Sequence, residues 1–246
     1  MGQINIEVTH LKFSYEKQNP ILQDISFTAD GQASIGVVGA NGAGKSTLLK
    51  LLVGLYFPDS GSIRIGDVPL QKETLAQIRK IAGYVFQDSE SQLFMPNVYE
   101  DVAFAPQNYG LPEEEVAYRT KMALAAVHIG HLAKKPIHKL SGGEKKLAAI
   151  ATILSMKPDI ILMDEPSIAL DPRNRRSLIH ILNDFEHLKI IASHDLDMIL
   201  ETCNRVILMA GGRIVCDGGT KEILTNKELL EANGLELPFC LQKPAW

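Results

Sequence analysis

The chain has 246 residues, 46% hydrophobic and 22% charged, an ordinary globular balance with room for one large α/β domain or two small lobes. A net charge of −4 and a pI near 6.0 argue against a general nucleic-acid binder, which carries a basic surface. No apolar run approaches the ~18–20 residues of a membrane span. Cys203, Cys216 and Cys240 are too few and scattered for a disulfide framework or a zinc site; they fit a reducing cytosol, with at least two expected as free buried thiols.

Residues 4–8 and 24–28 read as strands of an N-terminal β layer, joined by a polar loop containing Glu16-Lys17-Gln18-Asn19-Pro20. The first eight residues alternate in the same way and show no basic-plus-apolar leader. Ala33 to Val38 is a short apolar run suited to a buried parallel strand. Gly39-Ala40-Asn41-Gly42-Ala43-Gly44-Lys45-Ser46 follows, a full G-x-x-x-x-G-K-[ST] phosphate loop, and Thr47 to Leu52 opens a helix. The glycines let the backbone curl around phosphate with its amides inward. Lys45 can then reach the β- and γ-phosphates, and the Ser46 hydroxyl can ligate Mg²⁺.

Gly54, Pro58, Asp59, Ser60 and Gly61 mark a turn-rich break. A short strand at 62–65, a helix at 74–80 and a strand at 81–86 ending at Gln87 come next. From Asp88 to about Lys157 strand signals stop, and the pattern predicts an inserted helical block. Its helices are read at 98–103, from Pro112 as the first helical residue with Glu113, Glu114 and Glu115 behind it, and from Ser141 to Ser155. Val116, Ala123, Leu124 and Val127 share an apolar face of the second. Strands return at 159–163, 189–192, 206–209 and 213–216, with Gly211-Gly212 as a hairpin turn between the last two. Residues 1–233 form the expected domain, and 234–246 a short tail.

Ile160 to Met163 delivers Asp164 and Glu165 at a strand's carboxyl end, where open α/β sheets place ligand groups. Asp164 suits Mg²⁺, and Glu165 an attacking water. Leu140-Ser141-Gly142-Gly143-Glu144 has the amides of a second anion site, and equally the spacing of a capping box; one set of amides can serve both. His128 and His131 have no carboxylate or thiol company and are read as structural rather than as a metal site.

Gly39 to Ser46, Gln87, Leu140 to Glu144, Asp164-Glu165, Ser167 to Asp171 and His194 occur in this order. They resemble the Walker A, Q-loop, signature, Walker B, D-loop and H-loop of ATP-binding-cassette (ABC) ATPases, over nearly the whole chain. The resemblance implies a P-loop NTPase α/β core, an N-terminal antiparallel β layer and an inserted helical subdomain at about 88–157. It implies that Tyr15 stacks on adenine, although a packed strand-end tyrosine fits the residue as well. Residues Gly39 to Thr47 hold the phosphates. The same resemblance assigns Mg²⁺ to Ser46, Gln87 and Asp164, the role of general base to Glu165, and the rest of the catalytic set to Lys45, Gln87 and His194. Because cassettes of that family pair head to tail around two ATP molecules, the resemblance also implies that Ser141, Gly142, Gly143, Glu144 and Asp171 contact ATP in trans. The signature departs from the family in Glu144, where glutamine is commoner, and in Lys145-Lys146-Leu147, where arginine is frequent.

A finer resemblance, in Val85 to Phe94, Val98 to Phe104 and Glu231 to Pro238, is to the ATPase component of energy-coupling-factor (ECF) importers, the cobalt and nickel group included. It implies a second ATPase, self or sister, a membrane coupling protein and a substrate-binding membrane protein, and no nucleic acid. It implies vitamin or transition-metal uptake from the cytoplasmic face of a bacterial or archaeal membrane. The acidic residues Asp88, Glu90, Glu100 and Asp101 suit basic helices of the coupling protein, or else a solvated helix start. A soluble ABC ATPase with a regulatory or assembly role is the alternative.

Overall fold

Two strand periodicities divide the chain between two sheets. In the computed structural model, which describes residues 4–16 and 19–242, β1 (Ile6–Glu16) and β2 (Asn19–Ala29) alternate buried and exposed side chains and pair antiparallel. Met1 to Gln3, Lys17 and Gln18 of the expected strand and loop lie outside the described residues, as do residues 243–246. By contrast β3 (Ser34–Val38) is buried at every position. It leads through the glycine loop into α1 (Lys45–Leu52), two residues earlier than the sequence suggests. Then β4 (Ser60–Ile65) and β5 (Val68–Pro69) extend the first sheet to the order β2-β1-β4-β5. After α2 (Leu75–Ile81), β6 (Ala82–Val85) enters the second sheet.

The helical block follows as α3 (Val98–Asn108), α4 (Glu113–Ala126) and α5 (Gly142–Leu154). The first of these runs beyond its expected end and carries Pro106 in its last turn. Proline cannot donate to the Val102 carbonyl four residues back; the Ser155 hydroxyl does so instead, at 2.7 Å. Pro112 stands at the N-cap of α4 with ψ 146°, outside the helix rather than at its first position. The apolar face read for α4 is buried as expected.

The remaining elements are β7 (Ile160–Asp164), α6 (Pro172–Asp184), β8 (Leu188–Ala192), α7 (Leu196–Thr202), β9 (Arg205–Ala210), β10 (Arg213–Gly219), α8 (Thr220–Leu224) and α9 (Lys227–Ala232). Gly211 and Gly212 turn the last hairpin with φ of 53° and 74°. A Cβ on Gly212 would lie 2.2 Å from the Ile21 carbonyl. The second sheet has the order β10-β9-β3-β8-β7-β6, parallel except for edge strand β10. Its parallel strands are buried on both faces, which is why they read as unbroken apolar runs, whereas β10 is buried at no position. Val38, Ile161, Met163 and Ile191 face the helical block, α6 and α7. Ile35, Val37, Ile160, Leu162 and Ile190 face α1 and the antiparallel sheet.

Of the thiols expected to be buried only Cys203 is; Cys216 is half-buried on the edge strand and Cys240 is exposed. Residues 234–242 lie against the domain. Leu235 and Leu237 pack on its core, and the amides of Phe239 and Cys240 both donate to Asp197 at 2.9 Å. Among the described residues no helix is long and apolar enough to cross a membrane.

Candidate functional site

Parallel strands end on one side of a sheet, and four of them deliver the site. The carboxyl end of β3 carries the glycine loop, β8 Ser193-His194, β7 Asp164-Glu165, and β6 Phe86-Gln87. Gly39 and Gly44 have φ of 154° and 99°. A Cβ on Gly39 would come within 2.2 Å of the Met209 carbonyl, so this turn requires glycine. No side chain caps α1 at Gly44, which leaves its first-turn amides available to an anion.

Lys45 is buried, and its Nζ donates to the loop's own carbonyls at Gly39 (2.7 Å) and Ala40 (3.3 Å). Burial holds this ammonium below the usual lysine range, against the opposing fields of Glu165 and Asp164. Asp164 accepts from Ser46 Oγ at 2.8 Å and from the Tyr84 hydroxyl at 3.2 Å. Burial raises its carboxyl above the usual range, although both hydrogen bonds pull the other way.

Glu165 has a left-handed backbone (φ 47°), held by its N–H donating to the Ala192 carbonyl at 2.8 Å. A non-glycine residue keeps such a conformation only where its surroundings impose it. Its Oε2 accepts from Ser193 Oγ (3.1 Å) and His194 N (3.2 Å) and lies 2.8 Å from His194 Nδ1.

Tyr15, Asn41, Gly42, Ala43, Gly44, Lys45, Ser46, Thr47, Gln87 and Glu165 line one cleft of ≈ 330 Å³. The Tyr15 ring is half exposed, set edge-on against Phe13 and Tyr56, with its hydroxyl 3.0 Å from Thr47 Oγ1. The oxygen donors of Ser46, Gln87 and Asp164 fit a hard cation such as Mg²⁺, which takes few protein ligands and leaves positions for phosphate.

The structure does not bring the signature to this cleft. Ser141, Gly142, Gly143 and Glu144 line a second cleft of ≈ 640 Å³ with Asp171 and Asn174. Both halves of the capping box form: Ser141 Oγ accepts from Glu144 N at 3.2 Å, and Glu144 accepts from Ser141 N at 2.7 Å and from Lys135 Nζ at 2.9 Å. Asp171 caps α6 by accepting from Asn174 N at 2.8 Å. His194 touches Glu165 but borders a third groove, with Ser167 and Arg175. His128 and His131 border the second cleft, and no group of three metal-binding side chains exists among the described residues.

Of the acidic stretch only Asp101 is withdrawn from the surface, and each carboxylate has a partner within the chain. Asp101 is buried and accepts from the Phe94 and Met95 amides; Asp88 caps a short turn through Glu90 N; Glu90 pairs with Lys145; Glu100 accepts from Asn97. Asp88, Glu100 and Asp101 hold local turns together, and Glu90 reaches across to α5. Sequence reasoning missed Tyr84, whose hydroxyl meets Asp164 only because β6 and β7 are neighbours, and Ser193, which is legible only through its place before His194.

The family model described as ABC transporter matches residues 22–168. The chain belongs to the ABC transporter family. It is an ATPase subunit that binds ATP and hydrolyses it to power transport. This cassette is 50% identical over 237 residues to a putative ABC transporter ATP-binding protein of Geobacter sulfurreducens, covering 96% of this chain and 95% of that one. It is 42% identical over 240 residues to the energy-coupling factor transporter ATP-binding protein EcfA of Carboxydothermus hydrogenoformans, covering 96% and 88%. Its fold matches cbiO1 of Clostridium perfringens, described as part of the ABC transporter complex cbiONQ, with TM-score 0.81, 35% identity and coverage of 92% and 93%. The ABC cassette fold expected from the sequence, with its antiparallel sheet and helical subdomain, is the fold observed.

Proposed function

We propose that this cassette works as one of a head-to-tail pair driving an ECF-type importer of a vitamin or a transition-metal ion. The observation that carries the paired reading is the split of the site. Lys45, Ser46, Gln87 and Glu165 share one cleft, with Asp164 bonded to Ser46 behind it, whereas Ser141 and Asp171 lie in another. A second copy or a sister ATPase, facing the first cleft with its own Ser141, completes it. The ECF assignment is supported by the EcfA relatives and by cbiO1.

In this reading Tyr15 stacks on adenine, and the glycine-loop amides hold the phosphates. Lys45 leaves the Gly39 and Ala40 carbonyls for the β- and γ-phosphates. Ser46, Gln87 and Asp164 hold Mg²⁺, which neutralises phosphate charge. Glu165, oriented by Ser193 and His194 on Oε2, takes the proton of the attacking water. Lys45, His194 and Ser141 of the second copy stabilise the transferring phosphoryl group. ATP draws the two cassettes together, the helical blocks move the docked membrane helices, and hydrolysis lets the pair reopen. A membrane coupling protein and a separate substrate-binding membrane protein are the partners, reached from the cytoplasmic face.

Affinity purification of the chain from membranes of its native host tests this. Recovery of two integral membrane proteins with a second ATPase is expected. Recovery of the chain alone, with no membrane protein, would favour a soluble regulatory or assembly ATPase.

A further inference from the structure

Lys146 lies in the second turn of α5, a few residues past Ser141, and its side chain is almost wholly buried, at 2% exposure. Its Nζ donates to the Gln87 carbonyl at 2.7 Å and to the Phe86 carbonyl at 3.1 Å. Phe86 is gripped a second way. Gln92 Oε1 accepts from Phe86 N at 3.1 Å, while Gln92 Nε2 donates to the Ala149 carbonyl at 2.7 Å and to Thr152 Oγ1 at 2.8 Å, both on α5. The strand end bearing Gln87 is therefore clamped to α5 through one ammonium and one amide.

A buried ammonium is a costly way to fill space, and a leucine or methionine would pack there without the desolvation. Burial does push this lysine below its usual range, and the fields of Asp164, Asp88 and Glu165 oppose that. What the ammonium does that an apolar side chain cannot is hold two adjacent carbonyls, and one of them belongs to the residue whose side chain lines the nucleotide cleft. Fixing that peptide fixes the backbone from which the Gln87 side chain extends into the cleft.

We propose that Lys146 is a positioning residue for hydrolysis: by binding the Phe86 and Gln87 carbonyls it holds the Gln87 side chain in the nucleotide cleft and ties that placement to the helix beginning at Ser141. The inference rests on the reading of Gln87 as a ligand-facing residue of that cleft. The glycine loop and Lys45, which make the phosphate contacts in that reading, belong to other elements, so turnover carries most of the effect and nucleotide affinity changes little.

The test is a double-mutant cycle on the full-length chain, with kcat and KM for ATP, nucleotide titration and thermal melting on each variant. Lys146→Met is expected to lower kcat roughly 10-fold or more while KM and nucleotide affinity stay within about 3-fold. In a Gln87→Ala background the same change is expected to lower kcat by less than about 2-fold, because two residues acting as one unit are not additive. Lys146→Gln, which keeps a donor, is expected to recover part of the loss, and it carries the same cycle should Lys146→Met fail to fold. Additive losses, or a raised KM with unchanged kcat, would overturn the proposal while leaving Gln87 in its site. Normal turnover of Gln87→Ala alone would instead remove the reading of Gln87, and the proposal with it.

Discussion

Replacing Glu165 by glutamine separates the chemistry of this residue from its architecture. Glutamine has the same shape. With its carbonyl in the place of Oε2 it still accepts from Ser193 Oγ, His194 N and, when Nδ1 carries the proton, the His194 ring, at the distances of 3.1, 3.2 and 2.8 Å seen for glutamate. Those bonds lose charge assistance of about 1 kcal/mol each. Relief from burying a carboxylate offsets part of this, leaving a net cost within about 2 kcal/mol. A domain stable by about 5–15 kcal/mol remains folded. The barrier is affected more strongly. Loss of a general base costs about 10²–10⁴ in rate, or roughly 3–5.5 kcal/mol. Steady-state ATPase, nucleotide titration and thermal melting on one preparation should therefore show near-normal binding, a small melting shift and turnover down by at least about 100-fold. Turnover within about threefold of the parent, with binding intact, would refute the assignment and make His194 the next candidate.

Lys45→Ala should strongly weaken ATP binding and leave the circular dichroism spectrum unchanged, since in the free chain the ammonium binds only loop carbonyls; unchanged affinity would sink the phosphate-loop assignment. Mixing Lys45→Ala with Ser141→Arg, each also carrying Glu165→Gln, should rebuild one whole site of the two and restore part of the ATP-dependent dimer by light scattering. Absence of rescue, where Glu165→Gln alone dimerises, would count against the trans arrangement. Asp195, half-buried and bound bidentately by Arg175 at 2.7 Å and by Met198 N, is held below the usual carboxylate range: partial burial works against this, and the hydrogen bonds win. Its stabilisation is thus fully present above the unfolded value of about 3.9 and is lost as pH falls through the lower folded value. Asp195→Asn should cost about 1–3 kcal/mol at pH 7, in denaturant melts, and the gap should close below about pH 4; a gap independent of pH would refute the coupling.

Much of the site was legible one residue at a time. The glycine loop and Asp164-Glu165 after an apolar run carry a local signal, because phosphate needs free amides and parallel strands present their ligands at carboxyl ends, whereas Gln87 and His194 stand out only through their place in the ordered motifs. The capping box at Ser141 was equally readable, since its reciprocal bonds span only three residues. In the acidic stretch a carboxylate's sign is visible in sequence and its burial is not: Asp101 looks like a surface charge and is an internal cap for Phe94 and Met95.

Sequence by itself determined the strand and helix types, the phosphate loop and the order of motifs, all set by neighbours within a few residues. Tertiary structure decided what depends on strand order. Tyr84 meets Asp164 because β6 lies beside β7, and Ser193 meets Glu165 because β8 lies on the other side. It decided that Ser141 and Lys45 open into different clefts. It also decided that Lys146 turns inward to the carbonyls of Phe86 and Gln87, some sixty residues back along the chain. Such pairings are set by which apolar faces pack together, and a local pattern of polar and apolar residues does not name the partner face.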